Sequence, residues 1–100
     1  MKIALRTVED AGLAIRALRK QAGIRIDDFA LTAHVSKQFM TDLENGKPTV
    51  QMGKVLVLLQ NLGVKVVMEL PDTAAPALEA EQGRRARRKA RGETDAKPDA

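Results

Sequence analysis

Apolar residues recur at helical spacing in four stretches of this chain. Val8, Ala11, Ile15, Leu18 and Ala22 follow a 3.6-residue period, which predicts a helix over 8–22. Thr7 stands where a cap belongs, Glu9 and Asp10 suit the positive end of the helix dipole, and Gly23 closes the element. Phe29, Ala30 and Ala33 give the apolar face of a short helix over about 26–33, with Asp27 and Asp28 in its first turn. His34-Val35-Ser36 then reads as a tight turn. Ser36 caps a helix over 37–45, Met40 and Leu43 point to the core, and Gly46 ends the helix. Lys37, Gln38, Thr41 and Asp42 are left facing outward.

Beyond the Pro48-Thr49 loop, Thr49 is the expected cap of a fourth helix over 50–62. Its apolar positions are Val50, Met52, Val55, Leu56, Val57, Leu58, Leu59 and Leu62, more than one stripe holds, so two faces are expected to be buried. Met40, Leu43, Val55, Leu56, Leu59 and Leu62 are the expected core. After Gly63 the period changes. Val64, Val66, Met68 and Leu70 alternate with Lys65, Val67 and Glu69, which predicts a strand ended by Pro71. One strand cannot satisfy its own backbone groups. Either residues 1–6, whose Ile3 and Leu5 alternate weakly, pair with it, or a second copy of the chain does. A symmetric dimer would also cover the second face of helix 50–62. The expected dimer interface is therefore Leu58, Val64, Val66, Met68 and Leu70.

Composition changes this picture in two places. From Pro71 onward the only bulky apolar residue is Leu78, and 71–100 is expected to lack regular structure. That tail holds seven basic and six acidic residues, with the basic ones clustered over 84–91. The domain is thus expected over 1–70. The whole chain of 100 residues carries a net charge of +4 and a pI near 9.8, which favours anionic partners. Phe29 and Phe39 are its only aromatic residues, which disfavours single-strand binders that stack bases on aromatic platforms.

Other classes are disfavoured by what the sequence lacks. There is no Cys, so no disulfide framework and no thiolate metal site. His34 is the lone His, no run of about 18 apolar residues occurs, and the start MKIALRTVED has no signal-peptide apolar region. No Cys nucleophile, no Gly-rich phosphate loop and no paired carboxylates with a general base appear. A cytoplasmic protein without catalytic residues, metal or cofactor is expected.

Two short helices joined by a turn of about three residues make a helix-turn-helix, whose second helix lies in the major groove of DNA. The outward set fits that role. Lys37 can donate to guanine O6 and N7, and Gln38 can pair with adenine N6 and N7. Ser36 and the free N–H groups at the helix start can hold phosphate. Thr41 offers a methyl or a hydroxyl to a base, and Phe39 either inserts in the core or touches a sugar or thymine methyl. The DNA-binding residues expected from this outward set are Ser36, Lys37, Gln38, Phe39 and Thr41.

The run from Ile15 to Gly63, through IRALRKQAG, FALTAHVSKQFMTDLENGK and LLQNLGV, resembles the phage-repressor (Cro/C1, or Xre-like) helix-turn-helix family. DLENGKPTVQMGKVLVLLQNLGV followed by a predicted strand is similar to the HipB-like antitoxins. The resemblance implies a mainly α fold, with four helices and a C-terminal β-strand pairing across a homodimer. It implies an ion pair between Arg19 and Glu44, and phosphate contacts from Asn45 and Lys47. Three positions depart from the family pattern. Arg25 stands for the usual Thr or Ser cap of the second helix, Ile26 for the Gln that follows, and His34 for the turn Gly. Arg25 offers a charged phosphate contact instead, and His tolerates positive φ better than most residues.

The function these features imply is a dimeric transcriptional repressor that is the antitoxin of a toxin–antitoxin pair. Its partners would be double-stranded operator DNA in its own promoter and a HipA-like Ser/Thr kinase toxin. The alternatives are a stand-alone Xre-type repressor, or an interaction adaptor that has lost DNA binding.

Overall fold

A computed structural model describes residues 1–92. It divides the chain into two units, Met1–Val66 and Val67–Ala100. The first holds α1 (Val8–Gln21), α2 (Ile26–Thr32), α3 (Lys37–Glu44) and α4 (Met52–Asn61). The second holds a 3-10 turn at Asp72–Ala74 and α5 (Ala75–Ala90).

The helix starts are locally encoded. Thr7 and Asp10 form a reciprocal capping box: the Thr7 hydroxyl accepts from the Asp10 N–H at 3.3 Å, and the Asp10 carboxylate accepts from the Thr7 N–H at 3.0 Å. The Arg6 N–H also donates to that carboxylate, at 2.8 Å. The backbone donors of Arg6 and Thr7 hold the Asp10 carboxyl below the ordinary carboxylate value. Ser36 caps α3 by accepting from the Phe39 N–H at 2.9 Å. The fourth helix begins later than its sequence suggests, at Met52. Lys47-Pro48-Thr49-Val50 instead close a turn in which the Val50 N–H donates to the Lys47 carbonyl, with Pro48 supplying the fixed φ of the second position.

The ends of α1 to α4 share one construction. In each, two N–H groups past the helix fold back onto carbonyls of its last turn, as with Gly46 to Leu43 and Lys47 to Asp42. This motif needs one residue with positive φ. Glycine supplies it at 23, 46 and 63, and His34 supplies it after α2 with φ 57°. The turn between α2 and α3 is therefore a left-handed cap made by histidine. The residue that follows the cap leans on the core in two cases, Val35 and Val64.

The core of the first unit is small. Ile15 of α1 and Met40 and Leu43 of α3 are fully buried, joined by Ala11, Phe29, Ala30, Val55, Leu58 and Leu59. Truncating one such Leu or Met to Ala costs on the order of 2–5 kcal/mol. α3 packs against both α1 and α2. Where it meets α1, Gly12 lies so close that a Cβ there would collide with the Leu43 carbonyl oxygen, and a Cβ at Gly46 would strike Glu9. Two backbones touch at this crossing, and only glycine leaves room for it.

The structure corrects several expectations. No strand occurs among the described residues, so neither 64–70 nor 1–6 forms one. The predicted strand has no pairing neighbour within its own chain, and an isolated strand leaves its N–H and C=O groups unpaired. Leu58 is not at an exposed interface: it is 3% exposed, because Val55, Leu58 and Leu59 form the inward stripe of α4. Val64 is half-buried against the core of its own chain. The second apolar face of α4 is Leu56, Val57 and Met52, all exposed, so Leu56 is not core. The expected irregular tail is helical over Ala75–Ala90. Ala, Glu, Gln, Arg and Lys favour helix one residue at a time, and Pro76 fits its first turn, even where no apolar face exists to bury. Residues 93–100 of that expected tail lie outside the described residues.

Candidate nucleic-acid interface

The outer face of α3 is positioned from below. Met40 and Leu43 root the helix in the core, and Glu44 at its last position fixes it to α1. The Arg19 guanidinium grips the Glu44 carboxylate with both prongs, Nε to Oε2 at 2.7 Å and Nη2 to Oε1 at 2.8 Å. Its third nitrogen donates to the Ile24 carbonyl at 3.0 Å, inside the cap that ends α1. The Glu44 hydrogen bonds hold the Arg19 guanidinium charged more firmly than usual. One side chain thus ties together α1, the cap that closes it and the end of α3.

The eight sequence-predicted contact residues do not stand alike. Ser36, Lys37 and Gln38 lie exposed at the start of α3, Thr41 is half-exposed one turn on, and Asn45 and Lys47 are exposed where the helix ends. Phe39 is half-buried and packs against the core, with the Lys54 ammonium 5.7 Å from its ring centroid. Ser36, Gln38, Phe39 and Lys47 share with Asp42 and Gln51 an open groove of about 250 Å³ beside α3. Arg25 lies apart from that groove at the start of α2, where its side chain makes no cap bond.

Two carboxylates engage this face. The Lys37 ammonium meets Asp27 of α2 at 3.0 Å, and Arg25 meets the same carboxylate at 4.0 Å. Asp42 accepts from the Gln38 amide at 2.8 Å and pairs with Lys47 at 3.6 Å. Sequence reading placed Asp42 on the outer face but missed the part played by Asp27, which sits ten residues from its partner on another helix. It also missed Lys54, brought over Phe39 only by the packing of α4, and Gly12, which in a lone helix reads as a weak position. Among the described residues no group of His, Asp or Glu side chains is arranged to hold a metal, and no helix is long and apolar enough to cross a membrane.

The arrangement is chemically suited to polyanions. Ammonium groups, an amide, a hydroxyl and N–H groups at a capped helix start lie on or beside the outer face of α3, backed by a fixed scaffold. Comparison with known proteins points the same way. Residues 10–70 match the model of a family described as "Helix-turn-helix domain". A protein of Sinorhizobium fredii (strain NBRC 101917 / NGR234), named as an uncharacterized HTH-type transcriptional regulator, y4mF, is 43% identical over 67 residues, covering 67% of this chain and 88% of that protein. A solved structure titled "MDT Protein" superposes with a TM-score of 0.59 at 14% identity, over 71% of this chain and all of that one, which is a likeness of fold.

Proposed function

This chain belongs to the helix-turn-helix domain family, and on that premise we propose that it is a dimeric repressor that reads its operator with the outer face of α3. DNA-binding transcription regulation is what the family and its named relative support. The observation that carries the finer reading is the seating of α3. Its apolar side and Glu44 are fixed to the scaffold, its start is capped by Ser36, and Lys37, Gln38 and Thr41 are presented outward. In this reading Lys37 and Gln38 contact base edges, while Ser36, Asn45, Lys47 and Arg25 hold phosphates.

Exposed apolar residues support the dimeric part of this reading. Val66, Met68 and Leu70 are exposed along 64–70, as are Leu56 and Val57 of α4. A two-fold partner that covers exposed apolar residues would set two α3 helices on half-sites about one helical turn apart. The likeness of DLENGKPTVQMGKVLVLLQNLGV to the HipB-like antitoxins supports a further role. There the protein restrains a Ser/Thr kinase toxin and represses the promoter of both. A stand-alone repressor is the second reading.

The test is a gel shift with the promoter fragment of the protein's own gene. Lys37→Ala with Gln38→Ala should abolish the specific complex and leave folding intact, and unchanged affinity would show that α3 is not the reading helix. Co-expression with the neighbouring genes separates the two partner readings: an antitoxin co-purifies with a kinase-like protein, and a stand-alone repressor does not.

A further inference from the structure

Part of the surface assigned to DNA contacts is already paired within the chain. Lys37 sits 3.0 Å from Asp27, Lys47 sits 3.6 Å from Asp42, and Gln38 donates to Asp42 at 2.8 Å. Arg25 also lies 4.0 Å from Asp27, so two carboxylates, from α2 and from α3, engage four of the side chains assigned to contacts. A carboxylate presents an oxygen anion to a lysine much as a phosphate does. A duplex of arbitrary sequence can offer Lys37 and Lys47 only an exchange of one anion for another.

We propose that Asp27 and Asp42 are specificity-determining residues: they occupy Lys37, Lys47 and Gln38 in the free protein and so suppress binding to non-cognate DNA. This rests on the reading of α3 as the DNA-contacting helix. Cognate DNA adds base hydrogen bonds that the carboxylates cannot replace, so the anion exchange weakens the wrong complexes relative to the right one. Asp42 has a second effect. A carboxylate only accepts hydrogen bonds, so it fixes which way the Gln38 amide faces. Nε2 turns toward Asp42, which leaves Oε1 and the other amide hydrogen for the donor and acceptor edge of adenine.

The experiment uses the full chain and two duplexes, one selected from a random pool by the wild-type protein and one of the same composition in shuffled order. Fluorescence anisotropy gives affinity for each over a series of salt concentrations. The variants are Asp27→Asn, Asp42→Asn, their combination and Asp28→Asn. Asp28 is an exposed neighbour in α2 that makes no ion pair among the described residues, and it controls for net charge. Exposed pairs of this kind change equilibria by roughly two- to fivefold each, so the double variant should bind the shuffled duplex about tenfold tighter. Its affinity for the selected duplex should rise less, so that the ratio between the two falls. The slope of log affinity against log salt on the shuffled duplex should steepen by about two, one phosphate for each released lysine. In a background carrying both Lys37→Ala and Arg25→Ala, which removes both cations that meet Asp27, the effect of Asp27→Asn should vanish. An unchanged ratio, or an Asp28→Asn effect as large as that of Asp27→Asn, overturns the proposal. Failure of the wild-type protein to select any duplex overturns the reading of α3 instead, and this inference falls with it.

Discussion

Arg19 and Glu44 face each other across 25 positions of sequence in a two-pronged ion pair, with 11% and 5% of their side chains exposed. The pair joins the scaffold helix to the last residue of the helix that faces outward. Removing Glu44 leaves the largely buried Arg19 charge without its counter-ion, with only the Ile24 carbonyl as a remaining partner. Glu44→Gln should therefore destabilise the fold by about 3 kcal/mol. Replacing both residues with Met and Leu should cost less than that single change. Urea unfolding of the three proteins measures the difference, and a single variant as stable as the wild type would show that the clamp is not needed.

Gly12 and Gly53 offer the same substitution in opposite settings. Both are helical, but a Cβ at Gly12 meets the Leu43 carbonyl, while one at Gly53 meets nothing within 4 Å. Gly53→Ala should stabilise the protein by up to about 1 kcal/mol through helix propensity. Gly12→Ala should destabilise it by about 2 kcal/mol or more as α1 and α3 are forced apart. Opposite shifts in melting temperature are the expected result.

His34 occupies the left-handed position that glycine fills after α1, α3 and α4. A side chain there carries strain of roughly 1–2 kcal/mol, partly offset because glycine loses more freedom on folding. His34→Gly should raise stability by about 0.5–1 kcal/mol, and His34→Val should lower it, since β-branched residues avoid this region. Chemical denaturation of both variants checks the sign.

Val66 is an exposed apolar residue that the proposed dimer would cover. Val66→Asp should give monomers by analytical ultracentrifugation and weaken operator binding, because each half-site alone binds poorly. A variant that still sediments as a dimer would remove 64–70 from the interface.

Most of the first unit was legible from local signals. Thr7, Ser36 and the glycines at 23, 46 and 63 mark helix ends, because caps depend on neighbours within a few residues. The spacing of Ile15, Met40 and Leu43 marked the core. Arg19 and Glu44 were linked by family resemblance, since nothing local joins them. What stayed hidden depends on where whole helices meet. Asp27 beside Lys37, Lys54 over Phe39 and the contact at Gly12 are set by packing between elements. The strand over 64–70 and Leu58 at an interface were read as if a second chain were already in place. The helix Ala75–Ala90 has no apolar stripe to announce it, and only single-residue propensity points to it.

The glycine contact between α1 and α3 has a consequence for how such a protein can be retargeted. The seat of α3 is set by main chain against main chain, by Met40 and Leu43 beneath it and by Glu44 at its end. None of these groups belongs to the outward face. Lys37, Gln38 and Thr41 can therefore be exchanged without moving the helix that carries them. Under the proposed reading of α3, the address can be rewritten while the reader keeps its position, and new sequence preferences lie within a few surface substitutions of the present one.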